Sequence, residues 1–387
     1  MLLALSAALV LAGACDDNGE PSETPTPGTA AVETPATATP DGDDNVYAHT
    51  GVGALSPAAR RAKSFVYVPN SESGTVTIID PITYKALITF PTDESPQHVV
   101  PSYDFSTLWV TNNGGYSLTL IDPKTGAPGP NVEADDPYNL YFTPDGRFAI
   151  VVAEELKRLD FHDAQTMEFR SSLAVECEGV NHLDYTADGR YAVATCEFSG
   201  QLVQIDIEAQ QVIDYLTLDS RGAEHAMPQD IRLSPDGSVF FVADMMTDGV
   251  HVIEAASFEE VDFIATGVGA HSIIPGRGGD RFYVTNRGWN TVYGGTRGPG
   301  SVSVLDPESR EVLETWPVPD GGSPDMGALT PEGNELWLSG RFDSEVYVFD
   351  VETGDLTHRI PVERGPHGLC VWPQPGRYSL GHNGNMR

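Results

Sequence analysis

The sequence predicts an all-β chain closed into a seven-bladed β-propeller of four-stranded antiparallel blades, and three observations carry that prediction. At residues 228–255 an alternating run ends in the turn Ser234-Pro235-Asp236-Gly237. A second strand covers 239–243, and Asp248-Gly249 leads into a third at 250–253. Period-two alternation broken by Pro-Asp-Gly and Asp-Gly marks an antiparallel meander. The same unit recurs along the chain. Its opening residues fall at 98, 139, 182, 230, 271, 326 and 368, spaced 41 to 55 apart, the range of propeller blades. Lastly, the first unit lacks an opening strand and the final unit supplies one and little more. Together they complete one blade, so the ring has no open sheet edge.

Taken in order, the unit at residues 65–80 begins without a strand before Phe65. The unit at 98–122 keeps Leu108-Trp109-Val110-Thr111-Asn112. Those at 138–160 and 181–206 carry the turns Thr143-Pro144-Asp145-Gly146 and Thr186-Ala187-Asp188-Gly189. The unit at 271–306 holds Phe282-Tyr283-Val284-Thr285-Asn286, and that at 326–350 holds Thr330-Pro331-Glu332-Gly333. Residues 367–382 supply the closing strand. Their end, 377–382, also has the look of a second strand, a place already filled by 65–68.

The literal Tyr283-Val284-Thr285-Asn286, with Trp109-Val110-Thr111-Asn112, makes residues 62–387 resemble the YVTN β-propeller repeat family, YncE-like proteins included. The resemblance implies the fold. It implies no single chemistry, because propellers host binding proteins, hydrolases and haem enzymes alike.

Ahead of the repeats, an apolar run at 2–11 followed by Ala12-Gly13-Ala14-Cys15 reads as a signal peptide (residues 1–14) ending in a bacterial lipobox, with Cys15 lipidated. No Lys or Arg precedes Arg60, so the usual positive flank is missing. Residues 15–60 follow as a tether rich in Pro, Thr and Asp, too poor in large apolar groups to fold. Within it, 46–59 is a transition whose packing the residues leave open. The propeller then takes 61–387. This organisation predicts an exported monomer on the outer face of the cytoplasmic membrane or at the cell surface, touching lipid only through its anchor.

Fifty-six acids against 22 bases give a net charge of −34. Phosphate backbones are repelled, which argues against nucleic acid as a partner, while cations are welcome. Cys177 precedes the first strand of its blade and Cys196 ends the second, so both lie at one end of one sheet, and export favours a disulfide between them. Cys370 reads as a buried thiol. No Cys-x-x-Cys-His occurs, which excludes covalent c-type haem.

Long loops point to the functional face. Residues 286–300, 219–228, 170–180 and 112–116 all fall at strand-two exits or blade connections, the top of a propeller. Two rings of equivalent residues lie on the blades. Asp80, Asp122, Asp160, Asp206, Glu254, Asp306 and Asp350 end the third strands, where side-chain bonds to turn backbone account for them. The second ring opens the first strands: His98, Asn139, His182, Asp230, His271, Met326 and Gly368, with Asp325 and His367 one residue earlier. Imidazoles and carboxylates gathered at the channel mouth are ordinary ligands for a divalent metal ion, with His98, His182, Asp230 and His271 as the candidate set. The bland alternative is that each bonds a neighbouring blade or channel water. His225 is expected to overhang the mouth, and Trp289 and Tyr293 with Tyr116 to offer an aromatic platform. The expected ligand surface is therefore His98, Asn139, His182, His225, Asp230, His271, Trp289, Tyr293 and His367.

No nucleophile elbow, Walker loop or HExxH occurs, which favours a binding or scaffold module for a small molecule or an envelope protein over an enzyme. The alternative is a lactonase-like or metal-dependent hydrolase working at the channel mouth. A redox propeller holding non-covalent haem between His98, His182 or His271 is the third.

Overall fold

The computed structural model describes residues 45–289, 292, 299–382 and 385–387. The expected signal peptide, Cys15 and Tyr293 lie outside the described residues. Seven four-stranded antiparallel sheets form the ring. Blade 1 combines Phe65–Asn70, Thr75–Asp80 and Lys85–Pro91 with the late strand Cys370–Trp372. Blades 2 to 7 occupy residues 96–133, 137–174, 180–217, 228–265, 270–317 and 324–361. Inner strands of successive blades pack on one another around the ring, which the late strand completes between blades 7 and 2. That strand pairs antiparallel with the first, Phe65 opposite Trp372 and Tyr67 opposite Cys370.

Burial falls from the channel outward. The second strand of blade 5, Val239–Asp244, is buried throughout, whereas the outermost strand of blade 1, Lys85–Pro91, buries only Phe90. The hydrophobic clusters lie between blades. One joins Val193 and Leu202 of blade 4 to Ile231, Phe240 and Val242 of blade 5.

The Thr-Asn pair of the repeat motif has a physical task. Thr111 and Thr285 each accept a backbone N–H from the inner strand of their own blade, that of His98 (3.1 Å) and Ser272 (3.0 Å). The same hydroxyls donate to a carbonyl of the next blade, Tyr138 O and Asp325 O. Asn112 and Asn286 then reach the third strand through Ser117 and Thr119, and Ser301 and Ser303. Of the third-strand acids, Asp80, Asp122, Asp206, Asp306 and Asp350 accept backbone N–H groups of the following turn. In blade 3 that task passes to Asp163, while Asp160 bonds Arg158 and Ser172.

The bottom of the channel is closed by both ends of the described chain. Residues 45–60, expected to belong to the tether, pack on the propeller. Tyr47 is buried with its hydroxyl on Leu233 O (2.8 Å), and Ala59 is buried in the cluster of Tyr67 and Trp372. Packing on the propeller therefore begins ahead of the expected boundary at 61, and already includes Asn45. Residues 377–382 are no second strand of blade 1. They cross the bottom of the channel, where Phe142 N–H donates to Leu380 O and His382 N–H to Leu140 O. Arg387 ends in a buried ion pair with Asp184 (3.0 Å) and lies over the Tyr47 ring.

Removing one partner of a buried ion pair strands the other charge, at a cost of about 3 kcal/mol. Arg387→Met should therefore lower unfolding free energy by about that amount in urea titration, and Asp184→Asn in the same chain should recover part of it.

Candidate functional site

The inner strands do not open regularly, and the irregularity builds the site. In blade 2, Pro96 pairs with Asn112 and Val99 with Val110, so Gln97 and His98 together face only Thr111. Such a bulge lets two consecutive side chains turn toward the channel instead of alternating. The same shift occurs in blades 3 to 7.

Two stacked layers result. The upper contains Gln97, Tyr138, Asn181, Gln229, His271, Asp325 and His367. The lower contains His98, Asn139, His182, Asp230, Ser272, Met326 and Gly368. The hydroxyl clamps fix the register, because Ser272 N–H meets Thr285 as His98 N–H meets Thr111. His271 is therefore one layer above the position expected for it. A third ring caps these, formed by the residue after each second strand: Ser71, Asn113, Glu154, Glu197, Met245, Arg287 and Arg341.

A cavity of about 460 Å³ opens above the upper layer. Gln97, Tyr138, Gln229, His271 and His367 form its floor, and Asn113, Glu154, Glu197, Arg287 and Arg341 its walls. The hub beneath is Asp325, which is fully buried. It accepts from Arg287 Nε (2.7 Å) and His367 Nδ1 (2.6 Å), with His271 Nδ1 at 3.0 Å. Burial would raise this carboxyl, but the charge of Arg287 and the two imidazoles hold it well below the usual range. His367 thus carries its proton on Nδ1 and offers Nε2 as acceptor. His367 Nε2 lies 3.3 Å from the Tyr138 hydroxyl. Burial pushes His367 down to about 3 and lowers His271, His182 and His382 as well.

The lower layer is sealed. His98, Asn139, His182 and Asp230 are each 0% exposed and line no part of the cavity. The tail adds His382, which sequence reading did not place. His182, Asp230 and His382 offer ligand atoms within 4.8 Å of one another, the arrangement a metal would need. The protons argue against it. Asn139 Nδ2 lies 3.1 Å from His182 Nδ1 and 3.0 Å from His382 Nδ1, and an amide donor there leaves each proton on Nε2, the atom a metal requires bare. Turning the carboxamide would remove the acceptor that Leu140 N–H uses at 2.9 Å. Asp230 is committed too, accepting from Arg232 (2.8 Å) and Ser272 (3.0 Å). These residues form a hydrogen-bonded layer and do not fit a metal as arranged. His98 and His182 meet edge to face at 5.6 Å, which leaves no slot for a macrocycle between them.

Elsewhere, His225 is half-buried in the loop before blade 5 and does not line the cavity. Trp289 stacks on Phe342 at 4.5 Å, so one face of its ring is occupied. Tyr116 is exposed and lies outside the cavity. Cys177 and Cys196 are joined in a disulfide beside Glu197.

A seven-bladed propeller sealed below and open above to a charged cavity is thus the class that fold and site define. Residues 46–375 match the YNCE-like β-propeller family, and the chain belongs to it. No curated protein matches it in sequence. Among solved structures it is similar to hydrazine synthase of Kuenenia stuttgartiensis, at 20% identity and a TM-score of 0.58, over 70% of this chain and 87% of that one. A functionally unknown protein of Desulfotomaculum acetoxidans DSM 771 aligns at 16% identity and 0.66, over 81% and 100%. The dihydro-heme d1 dehydrogenase NirN in complex with DHE aligns at 14% and 0.59, over 81% and 75%. At these identities the likeness is one of fold.

The imidazoles of His182, His271, His367 and His382 make stability depend on acid. Their folded-state pKa values lie below the ~6.5 of an unfolded histidine, so the unfolded chain binds protons first. Their contribution is complete above pH ~6.5 and is lost as pH falls from there toward about 3 for His367. Midpoints of urea unfolding should decline over that window, and His367→Gln should flatten the decline.

Proposed function

We propose that this protein is a binding module that holds a small organic anion in the funnel on its top face. The observation that carries the reading is Arg341. Its guanidinium lines the cavity, and among the described residues it makes no ion pair. Its partners are neutral, Ser71 Oγ at 2.9 Å and Gly365 O at 3.5 Å. Burial lowers its pKa. Arg287 next to it is satisfied by Asp325, so this wall carries a surplus positive charge in a chain of net −34. A buried cation without a partner is costly unless something supplies the anion.

The cavity's volume suits a small molecule better than a protein surface, since ligand clefts span ~300–1,000 Å³. The sealed bottom supports the same face. Arg341→Met should abolish thermal stabilisation by whichever carboxylates in a metabolite panel raise the melting temperature of the parent. Equal shifts in both proteins would refute a funnel site.

We infer further that the module is held at the cell envelope through Cys15. The support is the apolar run ending in the Ala14-Cys15 motif, followed by a stretch rich in Pro, Thr and Asp. Wild-type protein expressed in a bacterial host should take up labelled fatty acid, and Cys15→Ser should take up none.

A further inference from the structure

We propose that the funnel takes a zwitterion: a small molecule with a carboxylate at one end and an ammonium or similar cationic nitrogen at the other. This rests on the anion-binding reading above and adds the second charge.

The argument starts from the capping ring. Because the blades follow one another around the channel, the residue after each second strand marks a fixed direction at the mouth. Blades 3 and 4 place Glu154 and Glu197 there, while blades 6 and 7 place Arg287 and Arg341. Blade 5 separates the pairs on one side with Met245, and blades 1 and 2 separate them on the other with Ser71 and Asn113. Acids and bases thus stand on different walls of one cavity, where the charges of Arg287 and Arg341 reach Glu197 without an ion pair between them. None of the four pairs across it: Arg287 turns down to Asp325, and Glu197 accepts from Asn181 (3.0 Å).

Each wall keeps one uncommitted group. Arg341 lacks an ion pair, and the Glu154 carboxyl has no hydrogen-bond partner among the described residues. A ligand with one negative end would satisfy the first alone. A dicarboxylate would bring its second charge against Glu154 and Glu197, with Glu155 also in the lining and Glu178 there already paired with Lys157. A cationic nitrogen meets these acids favourably. Burial and mutual repulsion raise the Glu154 carboxyl well above its usual value, so a bound cation should expel a proton from the pair.

The test uses ω-amino acids of three to eight carbons beside the monocarboxylate, alkylamine and dicarboxylate of each length. Isothermal calorimetry is run in buffers of differing ionisation enthalpy. One amino acid should bind at least tenfold tighter than its three analogues and release a proton. Glu154→Gln should bring its affinity down to that of the monocarboxylate and end the proton release. Arg341→Met should bring it down to that of the amine. Arg341→Lys should restore part of the loss, which excludes simple misfolding. A monocarboxylate or dicarboxylate that binds as tightly, with Glu154→Gln silent, overturns the zwitterion and leaves the anion site standing. Failure of every probe on the wild type overturns both.

Discussion

One hydroxyl group organises blades 2 and 6 from within. Thr111 and Thr285 accept from the bulged inner strand of their own blade and donate to the carbonyl of the next. A buried hydroxyl must use both its donor and its acceptor capacity or lose on the order of 1–3 kcal/mol. Meeting that demand ties the bulge to the spacing of the next blade there, while blades 3 and 5 form the same bulge with Val152 and Ala243 in the hydroxyl's place. The carboxylate of Asp325 lies in the upper layer because Thr285 holds its backbone. From there it gathers His271, His367 and Arg287, while among the described residues Arg341 makes no ion pair.

The ring was legible in the sequence because its signals are local. Ser234-Pro235-Asp236-Gly237 and its relatives fix the lower hairpins, and the residues that open the first strands recur at blade spacing. The layers were only half legible. Counting residues places His271 with His98 and His182, but a bulge carries no mark in the side-chain alternation, and only the bond from Ser272 to Thr285 reveals the shift by one. Residues 377–382 were ambiguous for a related reason. They do pair with an inner strand, at the bottom of blade 3 instead of beside Phe65, and nothing in their alternation distinguishes the two.

The charged walls escaped notice although their register was available. Glu154, Glu197, Arg287 and Arg341 each follow a second strand directly, where charged residues are usual on solvated loops. Their meaning depends on convergence around a closed ring, and no single repeat displays that. His382 was hidden more deeply, since a residue beyond the last blade has no equivalent in the repeat.

The capping ring has a consequence for how such a protein can change. Apart from Arg287, which holds the buried Asp325, and the buried Met245, its side chains lie beyond the hydroxyl clamps, so the scaffold's stability places few demands on them. Ligand choice can thus be rewritten one blade at a time, as each position supplies one direction of approach and one charge. The fold functions as a fixed frame with interchangeable settings, and relatives that share the frame at low identity need share none of its settings.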